Sequence, residues 1–242
     1  PAPRSSSCPI ACSKCSPSCT TCATRCTYVA DPRASRVVCL NPRGCSCLGR
    51  APLTPVVLTA PAGSVRAACA PRARLQRKTA EFPIDLVLID AGYDTDIVVQ
   101  FCRELKNPRV MPSKGDGLKP SDTPIPERKP KEGQKLGHHW MVHVPQTRSV
   151  RHLFIDTNRW KSMTADGLSA PLGASNAITL FQATRSVHRV LLDQLTSEYP
   201  ERTEARGRTL DMWRLRPNRE NDLFDCLVGC AAGASLRGVT AV

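Results

Sequence analysis

The segment Ile84-Asp-Leu-Val-Leu-Ile-Asp90 is a nearly continuous apolar run that closes on an acid. A run of this kind reads as a strand in the middle of a sheet, covered on both faces. Ala91-Gly92 supplies a turn. Thr95 reads as a helix N-cap, and Asp96 stands in the first turn, where the helix dipole favours an anion. Ile97, Val98, Phe101 and Leu105 then share one helical face. Asn107-Pro108 stops that helix, and Arg109-Val-Met111 opens a second strand. A strand-helix-strand unit predicts an α/β fold.

Further along, residues 112–137 are rich in Pro, Lys, Gly and Asp and read as a long polar loop. Trp140 to Val144 and Leu153 to Ile155 read as strands, the second closing on Asp156. Asn158 is placed to cap a helix running to about Leu168. Ile178 to Phe181 reads as a short strand. A helix is expected from about Ser186 to Glu198, with Val187, Val190, Leu191 and Leu195 turned inward, followed by a strand from Thr209 to Leu215. The last helix starts near Asn221; Phe224, Leu227, Val228 and Ala231 give it an apolar face, and its small residues allow close packing on a sheet. Cys226 and Cys230 read as small core residues of this helix, and His138, His139 and His143 as flanks of a strand rather than metal ligands.

Composition divides the chain near residue 80. The first eighty residues hold ten of the thirteen cysteines and twelve of the thirty-four Lys+Arg but a single acid, Asp31, so +11 of the formal charge of +13 lies there. Ile, Leu, Met, Phe and Trp together number six in this stretch. Such a segment buries too little apolar surface to offset its conformational entropy, so no packed core is expected in residues 1–80. A basic chain often has nucleic acid as partner, yet residues 81–242 are nearly neutral, so DNA contacts there would come from local patches. Cys8, Cys12, Cys15, Cys19, Cys22 and Cys26 repeat at alternating steps of four and three. Three readings fit that rhythm: a thiolate metal site, a disulfide framework, and a heptad of Leu and Val codons read out of frame in a GC-rich coding region. The out-of-frame reading accounts together for the spacing, the missing acids and the missing core. The chain opens without Met, as a fragment would, and no run of about 18 apolar residues is present to span a membrane.

Hydrolysis of a phosphodiester requires an activated water and neutralised charge on the phosphoryl oxygens. Two divalent ions about 4 Å apart meet both needs, and Mg²⁺ takes carboxylate oxygens. Asp90 closes a buried strand, while Asp222 and Asp225 lie three apart on the last helix and so on one surface. The same residues also suit simpler roles, Asp90 capping its turn and the other two answering the helix dipole. No phosphate loop of the form Gly-x-x-x-x-Gly-Lys-Ser/Thr occurs, so no ATP hydrolysis is expected from this chain, and no Ser-His-Asp or Cys-His arrangement has motif context.

The motifs taken together carry a family resemblance. Leu88-Ile-Asp-Ala-Gly-Tyr93 with the helix through Phe101-Cys102-Arg103, Ser113-Lys-Gly115, His152 to Lys161, Leu195 to Tyr199, and Trp213 to Gly238 with its Asn221-Asp-Leu-Phe-Asp-Cys226 core resemble, in order, the nuclease domain of a tailed-phage terminase large subunit of the lambda type. The resemblance covers Phe82 to Gly238 and implies an RNase H-like mixed sheet flanked by helices over residues 81–242. It implies a DNA endonuclease acting on concatemeric viral DNA, with Asp90 and Asp225 holding Mg²⁺ or Mn²⁺ in a two-metal site. Asp222 stands where related sequences often carry His, Lys114 is placed to meet phosphate or developing charge, and Asp156 is placed either to support the site or to cap a helix. Double-stranded DNA, a terminase small subunit and a portal protein are the implied partners, with no membrane, in the cytoplasm of a bacterial host that carries the gene as phage or prophage.

This sequence departs from the family's pattern at its start. The family carries a first metal-binding acid on an earlier strand; residues 1–80 offer only Asp31, in surroundings unlike that strand, and the upstream ATPase domain is missing. The sheet is therefore expected to lack its first strands, leaving unpaired edges and poor solubility. Two alternatives stand beside the active nuclease: a catalytically impaired prophage remnant, and a Cys-rich metal-binding protein whose function resides in its N-terminal segment.

Overall fold

The computed structural model describes residues 37–40, 74–77, 80–92, 95–144, 150–180 and 184–238. Cys8 to Cys26, and with them the three readings of the cysteine rhythm, lie outside these residues, as does Asp31. The apolar run forms β4 (Leu86–Asp90). It is followed by α1 (Thr95–Leu105) and β5 (Val110–Asp116), which lies parallel to β4 with Asp90 opposite Ser113. Thr95 begins the helix, its hydroxyl donating to the Ala91 carbonyl at 2.7 Å. The buried face of α1 is made by Val98, Val99, Phe101 and Cys102, whereas Ile97 is exposed, so the face is turned slightly from the expected one.

β5 does not end at Met111. It runs on through Ser-Lys-Gly-Asp to Asp116, because its neighbour β8 (His152–Asp156) pairs with Ser113 to Asp116 and satisfies that polar backbone. The expected long loop over 112–137 thus contributes strand residues, a short 3-10 turn at Ile125–Glu127 and the edge strand β6 (Gln134–Leu136). β7 (Trp140–His143) joins β6 and β8 in an antiparallel meander.

At the opposite edge, β1 (Val37–Leu40) pairs parallel with β4, Val37 opposite Leu86 and Leu40 opposite Ile89. The sheet is six-stranded and mixed, in the order β1-β4-β5-β8-β7-β6. The expectation that the sheet lacks its first strands is therefore corrected: a strand sits beside β4, although Val-Val-Cys-Leu brings no acid with it. Arg74–Arg77 (β2) and Ala80–Pro83 (β3) form a separate antiparallel pair.

Alternation along β4 turns Leu86 and Leu88 into one core with Met111, Trp140, Leu153 and Ile155. That core is closed by α2 (Thr157–Ser169), α3 (Arg185–Leu195) and α4 (Asp222–Leu236) through Trp160, Leu191, Leu223, Phe224, Cys226 and Val228. Cys226 and Cys230 are buried in the core and form no disulfide, as read. Asp156 caps α2, its Oδ1 accepting from the Arg159 N–H at 3.2 Å. Asn158, expected as the cap, lies inside the helix; its amide donates to the Leu118 carbonyl at 3.1 Å and accepts from the Trp213 N–H at 3.0 Å. It thereby pins α2 to a hairpin of β9 (Glu198–Ala205) and β10 (Arg208–Leu215).

α3 also differs from expectation. Val187 and Val190 are 61% and 42% exposed, and His188, Leu191 and Gln194 are buried instead. Gln194 is useful inside: its Oε1 accepts from the Leu223 N–H at 2.7 Å and caps α4. The helix stops at Leu195, so that Glu198 starts a strand. Of the short strand expected over Ile178 to Phe181, Leu180 makes an isolated bridge and Phe181 lies outside the described residues. No helix among the described residues is long and apolar enough to cross a membrane.

Candidate functional site

Because β4 and β5 are parallel, their carboxyl ends coincide, and the polar residues of the strand ends gather there. Asp90 occupies the last position of β4. Its Oδ1 accepts from the Gly92 N–H at 2.9 Å, so the acid fixes the turn that follows it. The first turn of α4 brings Asp222 and Asp225. Asn221 precedes it and donates its amide to Asp225 Oδ2 at 2.9 Å and to Glu198 Oε1. Glu198, at the first position of β9, is 6% exposed.

Lys161 of α2 ties these acids together. Its Nζ lies 2.6 and 2.7 Å from the two oxygens of Glu198 and 2.8 Å from Asp225 Oδ1. The ammonium also sits 5.6 Å from the centroid of the Phe224 ring. Asp225 Oδ1 is itself buried against the Lys161 ammonium, although the Asp225 side chain as a whole is 38% exposed.

The Asp225 carboxyl is pushed up to about 6. Burial is the chief cause; Lys161 acts against it, and the charges of Glu198 and Asp90 add to it. Asp90 is the last and smallest of these influences on Asp225, and α4 packs against β4. Asp222 takes the first position of α4, while Asp225 is the member of the pair that meets Lys161. Lys114 is exposed on β5, one residue past the partner of Asp90.

Asp156 acts as the cap of α2. His139 Nδ1 lies 3.8 Å from Asp156 Oδ2, but burial, helped by the charges of His138, Arg159 and Arg208, holds the imidazole down to about 4. The contact is thus one between a neutral ring and a carboxyl whose own pKa is raised, mainly by burial.

Among the described residues, no three His, Cys, Asp or Glu side chains converge as a ready-made metal cage. Asp90, at the end of β4, and Asp225, in the first turn of α4, are the carboxylates whose hard oxygens would suit a divalent cation. Glu198, Lys161 and Asn221 were given no role by the sequence reading. A signal was present in α2, where Asn158, Lys161 and Thr164 recur at steps of three, and all three are buried. A polar stripe of that kind on a core helix marks a polar interior.

The sequence profile of the terminase large subunit gpA endonuclease domain matches residues 64–242. No curated protein and no solved structure matches the chain. The profile spans most of the chain, including the elements that deliver Asp90, Lys161, Glu198 and Asp225. The chain belongs to the family of terminase large subunit gpA endonuclease domains.

Proposed function

We propose that this domain is a metal-dependent endonuclease of phage DNA packaging that cuts concatemeric double-stranded DNA, with Asp90 and Asp225 as the carboxylates that hold Mg²⁺ or Mn²⁺. The observation that carries the reading is the packing of α4, whose first turn bears an Asp225 held by Lys161 and Asn221, against β4, which ends in Asp90, inside a domain of the endonuclease family. A divalent cation at this place would supply positive charge for the phosphoryl oxygens and activate water for attack. The chain's own residues do the positioning. Asn221 and Lys161 fix the two oxygens of Asp225, and the Gly92 N–H fixes Asp90. Asp222, on the same turn, is a further carboxylate for the site, and Lys114, exposed beyond Ser113, is placed to meet a DNA phosphate. A terminase small subunit and a portal protein in a bacterial host cytoplasm complete the reading.

The test is plasmid nicking with Mg²⁺ or Mn²⁺. Asp90→Ala and Asp225→Ala are each expected to lower the rate by about 100-fold or more. Equal nicking by the parent and both variants would overturn the assignment. One observation favours a second reading, that of an impaired remnant: β1 lies beside β4 where a further acid would be useful, yet it carries none. Metal binding at Asp90 and Asp225 without nicking would select that reading.

A further inference from the structure

Glu198 stands at the first position of β9 with its side chain 2% exposed. An ionised carboxyl is held in such a place only where its oxygens meet donors. The backbone sets it there. The Ser197 carbonyl accepts from the Arg216 N–H at 2.9 Å, and the Ser197 N–H donates to the Gln194 carbonyl at 3.2 Å. Glu198 itself lies opposite Leu215 in the hairpin. From that point the carboxylate reaches donors on two helical segments. Lys161 Nζ of α2 lies 2.6 and 2.7 Å from its two oxygens, and Asn221, just ahead of α4, donates its amide to Oε1.

Both donors go on to Asp225. Lys161 Nζ lies 2.8 Å from Oδ1, and the Asn221 amide lies 2.9 Å from Oδ2. An amide nitrogen carries two hydrogens, so Asn221 serves both acids at once. The four side chains thus close a ring, Glu198–Lys161–Asp225–Asn221. Burial is graded around it, from 2% exposure of the Glu198 side chain to 8% for Lys161 and 38% for Asp225. Asp225 is the outward acid, and each of its two oxygens is held by a donor that Glu198 holds as well. With a donor on either side, the plane of the Asp225 carboxylate is set as well as its place. We propose that Glu198 is a positioning residue for the endonuclease, setting the Asp225 carboxylate through Lys161 and Asn221 together. The proposal rests on the reading above for the use made of Asp225; the ring stands on the geometry. A buried ion pair that served stability alone would need Lys161 and Glu198 only, whereas the neutral Asn221 bridges the two acids.

The experiment compares plasmid nicking in Mg²⁺ by the full chain with Glu198→Gln, Asp225→Asn and the two combined, under conditions where urea unfolding shows each to be folded. Glutamine keeps the shape of Glu198 but has one acceptor oxygen where the ring presents donors to two, so one arm opens. Glu198→Gln is expected to lower kcat by about 10- to 100-fold with KM changed less than about twofold, as for a misplaced reacting group. In the Asp225→Asn background the same change is expected to lower kcat no further, because the residue it acts through is already altered. The Asn221 side-chain amide, followed by NMR, gives a readout apart from nicking. Its two protons face charged acceptors in the parent, and in Glu198→Gln one of them is expected to return to the ordinary range. An equal fall in kcat in the parent and in the Asp225→Asn background would overturn the proposal, since Glu198 would then act by another route. Unchanged kcat in folded Glu198→Gln would overturn it too. Glu198→Asp, which keeps the charge and shortens the reach by one methylene, carries the same tests if Glu198→Gln does not fold. If the parent does not nick, or Asp225→Asn nicks as fast as the parent, the reading of Asp225 fails. The Asn221 amide then decides the ring alone: a moved proton upholds the hold of Glu198 on it, and unmoved protons overturn it.

Discussion

Gly115 sits in β5 at a point where the sheet and α2 nearly touch. A Cβ built there would lie 2.5 Å from Thr157 Oγ1, with the Thr157 Cβ and Cγ2 at 3.6 and 3.7 Å. Ordinary contact begins at 3.4 Å, so Gly115→Ala leaves a shortfall of roughly 0.9 Å, all of it against one hydroxyl. Threonine is stiff about χ1, and its other branch already faces the same space, so rotation offers little relief. Either the strand or the start of α2 has to move, and Lys161 is one helical turn beyond Thr157. Overpacking of this size costs about 1–3 kcal/mol. Thr157→Ala removes the offending oxygen and leaves a methyl at an acceptable distance. In that background Gly115→Ala is expected to be neutral, or to stabilise by about 0.4–1 kcal/mol through the stiffer unfolded chain, because the backbone here is not left-handed. The assay is a double-mutant cycle by urea unfolding of the full chain, with a coupling of more than about 1 kcal/mol expected between the two sites. The same cost for Gly115→Ala with Thr157 as with Ala at that position would refute the steric argument.

Phe224 is 1% exposed, tilted against Trp213 at 5.4 Å and beside the Lys161 ammonium, so Phe224→Ala is expected to lose about 3–5 kcal/mol in urea unfolding and to lower nicking through the neighbouring Asp225. His139 has a folded pKa held down to about 4 against an ordinary 6.5, so as pH falls from 6.5 toward 4 the unfolded chain takes up a proton that the folded chain refuses. Stability contributed by the neutral ring is therefore present above pH 6.5 and lost on acidification, by up to about 3 kcal/mol. His139→Asn, which tolerates the positive φ of 54°, is expected to flatten that part of the stability curve; a slope equal to the parent's between pH 6.5 and 4 would contradict it. The raised carboxyl of Asp225 works the other way, gaining stability as pH falls through about 6, and cancels in the comparison of parent and variant.

The parts of the fold that could be read from sequence were those where burial and apolarity coincide. β4 is buried from Leu86 to Ile89, and the last helix buries Phe224, Leu227 and Val228, so pattern and structure agree and the acids at their ends follow. The reading failed where polar groups are buried because they are used. Gln194 and His188 took the inward face of α3 from Val187 and Val190, since Gln194 caps α4 and a valine cannot. Lys161 and Glu198 look like surface charges in a sequence; nothing local reveals that each satisfies the other across 37 residues. β9 was missed for a related reason. Its Glu-Arg-Thr-Glu stretch has no apolar face, and its register comes from β10 through pairs such as Arg202 with Asp211, joined at 3.0 Å.

β1 bears on what this architecture demands of its edge. A parallel neighbour docks through amides and carbonyls, which every residue type presents alike. Val-Val-Cys-Leu can thus take the berth beside β4 on extended shape and greasiness alone, without any carboxylate. Closing the sheet at this border and furnishing it with a carboxylate are therefore separate requirements, and Val37–Leu40 meets the first alone.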